Sequence, residues 1–73
     1  MFYSNLESFE DFVEKWRISC KAENADVHRR NMLNYFISSL RPGSKERMLA
    51  RNAIMMPGEV TFDLVVECVR RGL

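Results

Sequence analysis

The sequence predicts an all-α fold, a compact domain of four helices. Apolar residues recur at intervals of three and four along most of the chain, the periodicity of an amphipathic helix, whereas no segment shows sustained strand-like alternation. Pro-Gly pairs at 42–43 and 57–58 interrupt this periodicity, and a Ser or Thr stands at the capping position before three of the helical segments. Together they place helices at about 9–22, 27–40, 45–54 and 62–71.

The first helix is the best specified. Ser8 stands at its N-cap, and Asp11 follows three residues later in the place of a capping-box acid. Acidic side chains in the first turns suit the positive end of the helix dipole. Five residues spaced i, i+3, i+4, i+7 and i+11 form its apolar stripe: Phe9, Phe12, Val13, Trp16 and Cys20.

The second and third helices meet at a strong break. Asp26 is predicted to cap the second helix, which should run to about Leu40. The segment 41–43, Arg-Pro-Gly, combines a residue disfavoured from helix by the following proline, the proline itself, and a glycine that is free to turn. Ser44 then caps the third helix.

Thr61 is predicted to cap the fourth helix, after the second Pro-Gly break. Val60 and Val65 have the spacing of a hydrophobic staple, and Gly72 is the expected terminating residue. The β-branched residues of this last stretch favour a strand slightly, but the capping signals favour a helix.

Length and composition predict one domain spanning residues 1–73. A chain of 73 residues is marginal as a stable monomer, so a partner surface is plausible on size alone. Apolar residues make up 47% of the chain, which argues against intrinsic disorder, and a net charge of +1 supplies no global field to attract nucleic acid or anionic membrane. The chain has neither a membrane-length apolar run nor a signal-peptide pattern at its start, so we expect a cytosolic protein without membrane contact.

No cofactor, metal or catalytic site is predicted. Cys20 and Cys68 lie far apart without a CxxC motif, and the lone His28 does not complete a metal-ligand spacing. Two free thiols, buried or partly buried, are therefore expected, with a single disulfide as the alternative. No nucleophile and base occur in a catalytic arrangement, so an enzyme with a small-molecule substrate is not expected.

The start of the first helix resembles a known motif. The segment Glu7-Ser8-Phe9-Glu10-Asp11-Phe12-Val13-Glu14-Lys15 is similar to the second half of the major homology region of Gag polyproteins, from retroviruses and LTR retrotransposons. Residues at motif positions are Glu7, Phe9, Asp11, Phe12, Val13 and Lys15. The family's usual Gln-Gly pair is replaced by the segment 3–6, and its usual Arg by Lys15, which indicates a divergent retrotransposon or domesticated relative.

Two later segments extend the resemblance over nearly all of the chain. Residues 36–43 are similar to the family's F-x-x-x-L-x-P stretch, and residues 57–63 are similar to the opening of its last helix. The resemblance implies the fold of a Gag C-terminal capsid domain. It also implies that Glu7 and Lys15 hydrogen-bond the segment before the first helix to the rest of the domain, while Phe9 and Phe12 lie in the core.

The second helix carries apolar residues beyond its core stripe. Leu33, Phe36, Ile37 and Leu40 form that stripe. Met32 and Tyr35 fall beside it, flanked by His28, Asn31 and Ser39, and they are either the wide edge of the stripe or a self-complementary patch for a two-fold dimer. The resemblance implies the dimer, because the corresponding helix makes the two-fold contact in Gag capsid domains. The candidate interface residues, with Met32 foremost and a register uncertain by about one residue, are His28, Asn31, Met32, Leu33 and Tyr35.

The third helix is basic. Arg41, Lys45, Arg47 and Arg51 crowd this region, with Glu46 to offset them. They form either a solvated helix face or a contact for RNA or another polyanion, although the aromatic residues of a single-strand platform are missing. Some Gag capsid domains bind an inositol polyphosphate through lysines near the major homology region. Leu6 stands there in this chain, so that property is not carried over.

The expected function is self-association in a Gag-type capsid, through the second helix, in the cytoplasm and in a virion or virus-like particle. RNA contact is expected only from flanking regions of a longer polyprotein. Two alternatives remain. One is a domesticated Gag-like module that binds a host partner, and the other is a small RNA-binding domain that uses the basic third helix.

Overall fold

The structure, a computed structural model, describes residues 7–73, and within that range it contains four helices and no strand. The helices are α1 (Phe9–Ala22), α2 (Arg30–Ser39), α3 (Lys45–Ile54) and α4 (Phe62–Gly72). The predicted all-α class and the predicted number of helices are confirmed. The segment 3–6, which departs from the Gag motif, lies outside the described residues.

Three of the predicted helix caps are confirmed by hydrogen bonds. The hydroxyl oxygens of Ser8, Ser44 and Thr61 each accept the backbone N–H three residues later, at 3.1, 3.2 and 3.1 Å. Each cap satisfies one of the N–H groups that a helix start leaves without an intrahelical partner. The bounds of α1 and α3 therefore agree with the prediction, because the capping residue specifies the helix start locally.

The predicted start of α2 is wrong. α2 begins at Arg30, three residues after the predicted position, and Arg29 occupies its N-cap without a side-chain hydrogen bond. Asp26 instead accepts the backbone N–H of His28 at 2.9 Å. A carboxylate that binds the N–H two residues later closes an Asx-type turn, which competes with helix initiation.

Glycines serve two different roles at the predicted breaks. Gly43 and Gly58 have φ angles of +77° and +95°, a conformation that glycine adopts without strain. Gly72, predicted to terminate α4, is instead its last helical residue. A Cβ atom at Gly72 would lie 2.6 Å from both side-chain methyl groups of Leu49, so this glycine allows α3 and α4 to approach closely.

The core is centred on the ring of Phe36, which is fully buried. Its centroid lies 5.6 Å from that of Phe12 in a stacked arrangement and 4.8 Å from that of Phe62, edge to face. The rings of Trp16 and Phe9 contact it at 5.6 and 6.4 Å. Phe36 thus joins α2 to both α1 and α4.

Ion pairs on the surface connect α1 to α4. Arg70 donates two hydrogen bonds to the carboxylate of Glu10, at 2.6 and 2.8 Å, and Arg17 pairs with Asp63. The guanidinium of Arg17 also lies 4.8 Å from the ring centroid of Phe62. Hydrogen bonds from these arginines are the main reason that the pKa values of Glu10 and Asp63 lie below their usual range.

Replacing Phe36 tests its central position. Because its ring contacts four other aromatic rings, we expect Phe36→Leu to lower the free energy of unfolding by about 1 to 2 kcal/mol, and Phe36→Ala by about 3 to 5 kcal/mol. Urea denaturation followed by circular dichroism measures both. Tyr35→Leu is the matched control, since the neighbouring ring is exposed, and it should change stability by less than about 0.5 kcal/mol. Equal losses at the two positions would contradict the described core.

The α1–α4 ion pairs predict a pH dependence of stability. A carboxyl group whose pKa is lower in the folded state stabilises the fold fully above its unfolded pKa, about 4, and this contribution is lost as the pH falls through the folded pKa. Unfolding free energies of Glu10→Gln/Asp63→Asn should therefore fall less steeply than those of the native chain between about pH 5 and pH 3. The control is Glu14→Gln, since Glu14 has no ion pair with any described residue. Identical slopes for the native chain and the double variant would be the contrary result.

Candidate self-association surface

The outer surface of α2 lies opposite the face that carries Phe36. The inward positions, Leu33, Phe36 and Ile37, are buried. Helical periodicity turns Asn31 and Tyr35 away from them, and Tyr35 is 63% exposed. We call Asn31, Met32 and Tyr35 the α2 outer face. It presents an aromatic side chain to solvent beside polar neighbours.

Within the α2 outer face, Met32 is the residue that lies next to the core. It is half-buried and packs against the core, as the interpretation of a wide core stripe predicts. With Trp16 and Cys20 it lines a small depression of about 190 Å³. With Tyr35 it also lines a second, shallow depression of about 400 Å³. Met32 therefore contributes to the core and to the accessible surface at once.

Two of the candidate interface residues have other roles in the structure. Leu33 is 2% exposed and belongs to the core, so its assignment to an interface is wrong. Its position, one residue from Met32, turns it about 100° around the helix and into the domain. The Nδ1 atom of His28 accepts the backbone N–H of Phe62 at 3.2 Å, which connects the segment before α2 to the start of α4.

The sequence prediction missed two polar residues that border the α2 outer face. Asn34 and Ser38 are both exposed, and they line a depression of about 280 Å³ between α2 and α3. Arg47 and Arg51 line its other side. Helical periodicity alone places Asn34 and Ser38 away from Phe36, but it does not show that α3 lies next to them.

The residues at the major-homology-like positions form the start of α1. Lys15 Nζ lies 2.7 Å from Glu7 Oε2, and the Glu7 side chain is mostly buried. Phe9, Phe12 and Val13 lie in the core, whereas Asp11 is exposed and its backbone N–H is capped. The structure thus brings Glu7 and Lys15 together, in a contact that connects the residue before the helix to its second turn.

The basic residues of α3 surround an open depression of about 810 Å³. Lys45, Arg47 and Arg51 line it, and none of the three forms an ion pair within residues 7–73. Met48 and Met55 line it as well and are 54% and 77% exposed, a feature that the sequence prediction missed. Arg41 is exposed but is not part of this lining.

The described residues contain no group of three His, Cys, Asp or Glu side chains placed to hold a metal ion. None of the helices in residues 7–73 is long and apolar enough to span a membrane. Cys20 is buried and Cys68 half-buried, and both are free thiols, as predicted.

The chain matches no known family model, curated protein or solved structure.

The two thiols should differ in reactivity. Burial, with a smaller contribution from the nearby carboxylate of Glu23, raises the pKa of Cys20. Because the thiolate is the reactive form, we expect iodoacetamide at pH 8 to modify Cys20 at least about tenfold more slowly than Cys68 in the folded protein. Peptide mapping by mass spectrometry measures the two rates. In urea the rates should become similar, and equal rates in the folded state would be inconsistent with the buried position of Cys20.

Proposed function

We propose that this domain is a structural self-association module of a Gag-type capsid, with the fold of a Gag C-terminal capsid domain, and that it dimerises through the α2 outer face. The observation that carries the proposal is the exposure of Tyr35 beside the half-buried Met32, on a helix whose opposite face forms the core. Tyr and Met are enriched at protein interfaces, and Tyr supplies a large contact area at low entropic cost.

The resemblance of the sequence to Gag polyproteins supports the same surface. In that family the helix corresponding to α2 makes the two-fold contact, next to an Asn that Asn31 matches here. The four helices, with Pro-Gly turns before α3 and α4, agree with the expected order of elements.

The mechanism is weak, symmetric association that becomes strong through repetition. In a two-fold contact each copy presents the same residues, so Tyr35 and Met32 pack against their own counterparts. A patch of this size leaves little free energy after the loss of rigid-body freedom, so we expect a dissociation constant on the order of 100 μM for the isolated domain. In a shell, many copies act together, and each contact remains reversible.

The proposal makes other copies of the chain the main partner, in the cytoplasm and in a virion or virus-like particle. RNA contact is assigned to flanking regions of a longer polyprotein. The proposed role requires no catalysis, cofactor, small-molecule substrate or membrane contact. A host partner on the α2 outer face, or RNA on α3, is the alternative that the following experiment distinguishes.

Tyr35→Asp tests the dimer directly. Sedimentation velocity from about 10 μM to 1 mM should show a monomer–dimer shift for the native chain that persists at high salt, because the contact is apolar. We expect Tyr35→Asp to weaken dimerisation by at least about thirtyfold, the effect of losing an interface hot spot. Tyr35 is preferred to Met32 for this test because its side chain is exposed, so the substitution should leave the helical content unchanged.

Met56→Asp is the matched control, because Met56, like Tyr35, is an exposed apolar side chain but lies outside the α2 outer face, and this variant should dimerise like the native chain. A monomer at every concentration would overturn dimerisation by this domain and would direct attention to a host partner. Binding of single-stranded RNA that weakens steeply with salt, without dimerisation, would favour the RNA-binding alternative.

A further inference from the structure

The outward surface of α3 combines exposed apolar side chains with cations that form no ion pair among residues 7–73. We call it the α3 basic face, and its residues are Lys45, Arg47, Met48, Arg51 and Met55. Met48 and Met55 lie seven residues apart, two helical turns, so they point to the same side between the cations. Arg17 and Arg70 differ from these cations, because each already forms an ion pair with a carboxylate of the same domain.

The outward surface of α1 has the opposite character. Asp11, Glu14 and Ile18 follow the spacing i, i+3 and i+7 on the side away from the core, and we call them the α1 acidic face. Ile18 is 59% exposed, and neither carboxylate forms an ion pair within residues 7–73. Lys21 lies at the far end of this face, one turn after Ile18, and does not separate the two acidic residues.

The two faces carry opposite charges, and their charged parts are similar in length. From Asp11 to Ile18 the helix rises about 10 Å, and from Lys45 to Arg51, the charged part of the α3 basic face, it rises about 9 Å. Each face carries charged groups beside an exposed apolar side chain, so Ile18 of one face can enter the open depression that Met48 lines. We propose that the α1 acidic face of one copy docks on the α3 basic face of the next copy.

This inference deepens the proposed capsid function by supplying a second contact. A two-fold contact through the α2 outer face is complete at the dimer, because each copy uses the same surface once. A lattice needs another contact of different symmetry. Docking of α1 on α3 is head to tail, so a row of copies retains a free acidic face at one end and a free basic face at the other, and assembly continues.

The experiment is performed in the Tyr35→Asp background, where the proposed α2 dimer is removed. Uniformly ¹⁵N-labelled protein is followed by two-dimensional NMR up to about 1 mM, at low and high salt. We expect concentration-dependent shifts in α1 and α3 that diminish in high salt. Placing Glu14→Lys or Arg51→Glu in this background puts like charges together at the contact and should weaken association at least about tenfold.

Mixing the two variants provides the decisive measurement. Labelled Glu14→Lys keeps an intact basic face, and unlabelled Arg51→Glu keeps an intact acidic face. Each variant alone should show little association. In the mixture, the NMR signals of α3 in the labelled protein should shift, because its basic face binds the acidic face of the unlabelled protein. Labelled Arg51→Glu with unlabelled Glu14→Lys should show the reciprocal shifts in α1. A simple effect of net charge would not confine the shifts to these two helices.

Arg29→Glu and Glu23→Lys are matched controls that change the same charges outside both faces. They should associate like the Tyr35→Asp parent. The proposal is overturned if the mixture shows no shift at 1 mM, or if the controls lose association as the test variants do. It is also overturned if the α3 basic face binds a single-stranded RNA oligonucleotide while the mixture shows no shift.

The outcomes separate this contact from the α2 dimer. A native chain that dimerises, with a Tyr35→Asp parent that is monomeric even at 1 mM, would overturn the α1–α3 contact and leave the proposed dimer in place. Association that persists unchanged in the Tyr35→Asp background and is lost on charge reversal would support the α1–α3 contact and overturn the α2 dimer.

Discussion

The packing of Phe36 against rings from α1 and α4 is the constraint on which the other features of the domain depend. The Phe36 ring is surrounded by Phe12, Trp16 and Phe62. α2 therefore cannot rotate about its axis without opening a cavity at the centre of the core. The orientation of α2 is therefore determined by its buried side. The exposure of Tyr35 on the other side follows from that orientation, as does the accessibility of the proposed two-fold contact.

The near-neutral charge of the chain conceals an uneven distribution. Basic side chains that connect α1 to α4, such as Arg17 and Arg70, are neutralised within the domain. Those of α3 have no ion pairs with described residues, and the outward carboxylates of α1 likewise have none. A domain can thus carry two local fields of opposite sign at a net charge of +1.

The helices were predictable where a short polar side chain caps the next turn. Ser44 and Thr61 illustrate this, since each hydrogen bond spans three residues and depends little on the rest of the chain. The start of α2 was not predictable in this way, because the carboxylate of Asp26 can cap a helix or close a turn. Leu33 was ambiguous for a similar reason, since its position fits both the core stripe and the family's contact, and only packing decides between them.

The sequence by itself determined the all-α class, three of the helix caps, the breaks and the apolar stripes, because hydrogen bonds and periodicity act over a few residues. The tertiary structure alone decided that Glu10 meets Arg70, sixty residues away, and that Met48 and Met55 remain exposed among cations. These features depend on how the helices pack against one another, and a residue's own neighbours in sequence do not specify that packing. The candidate surfaces of this domain are therefore consequences of its core.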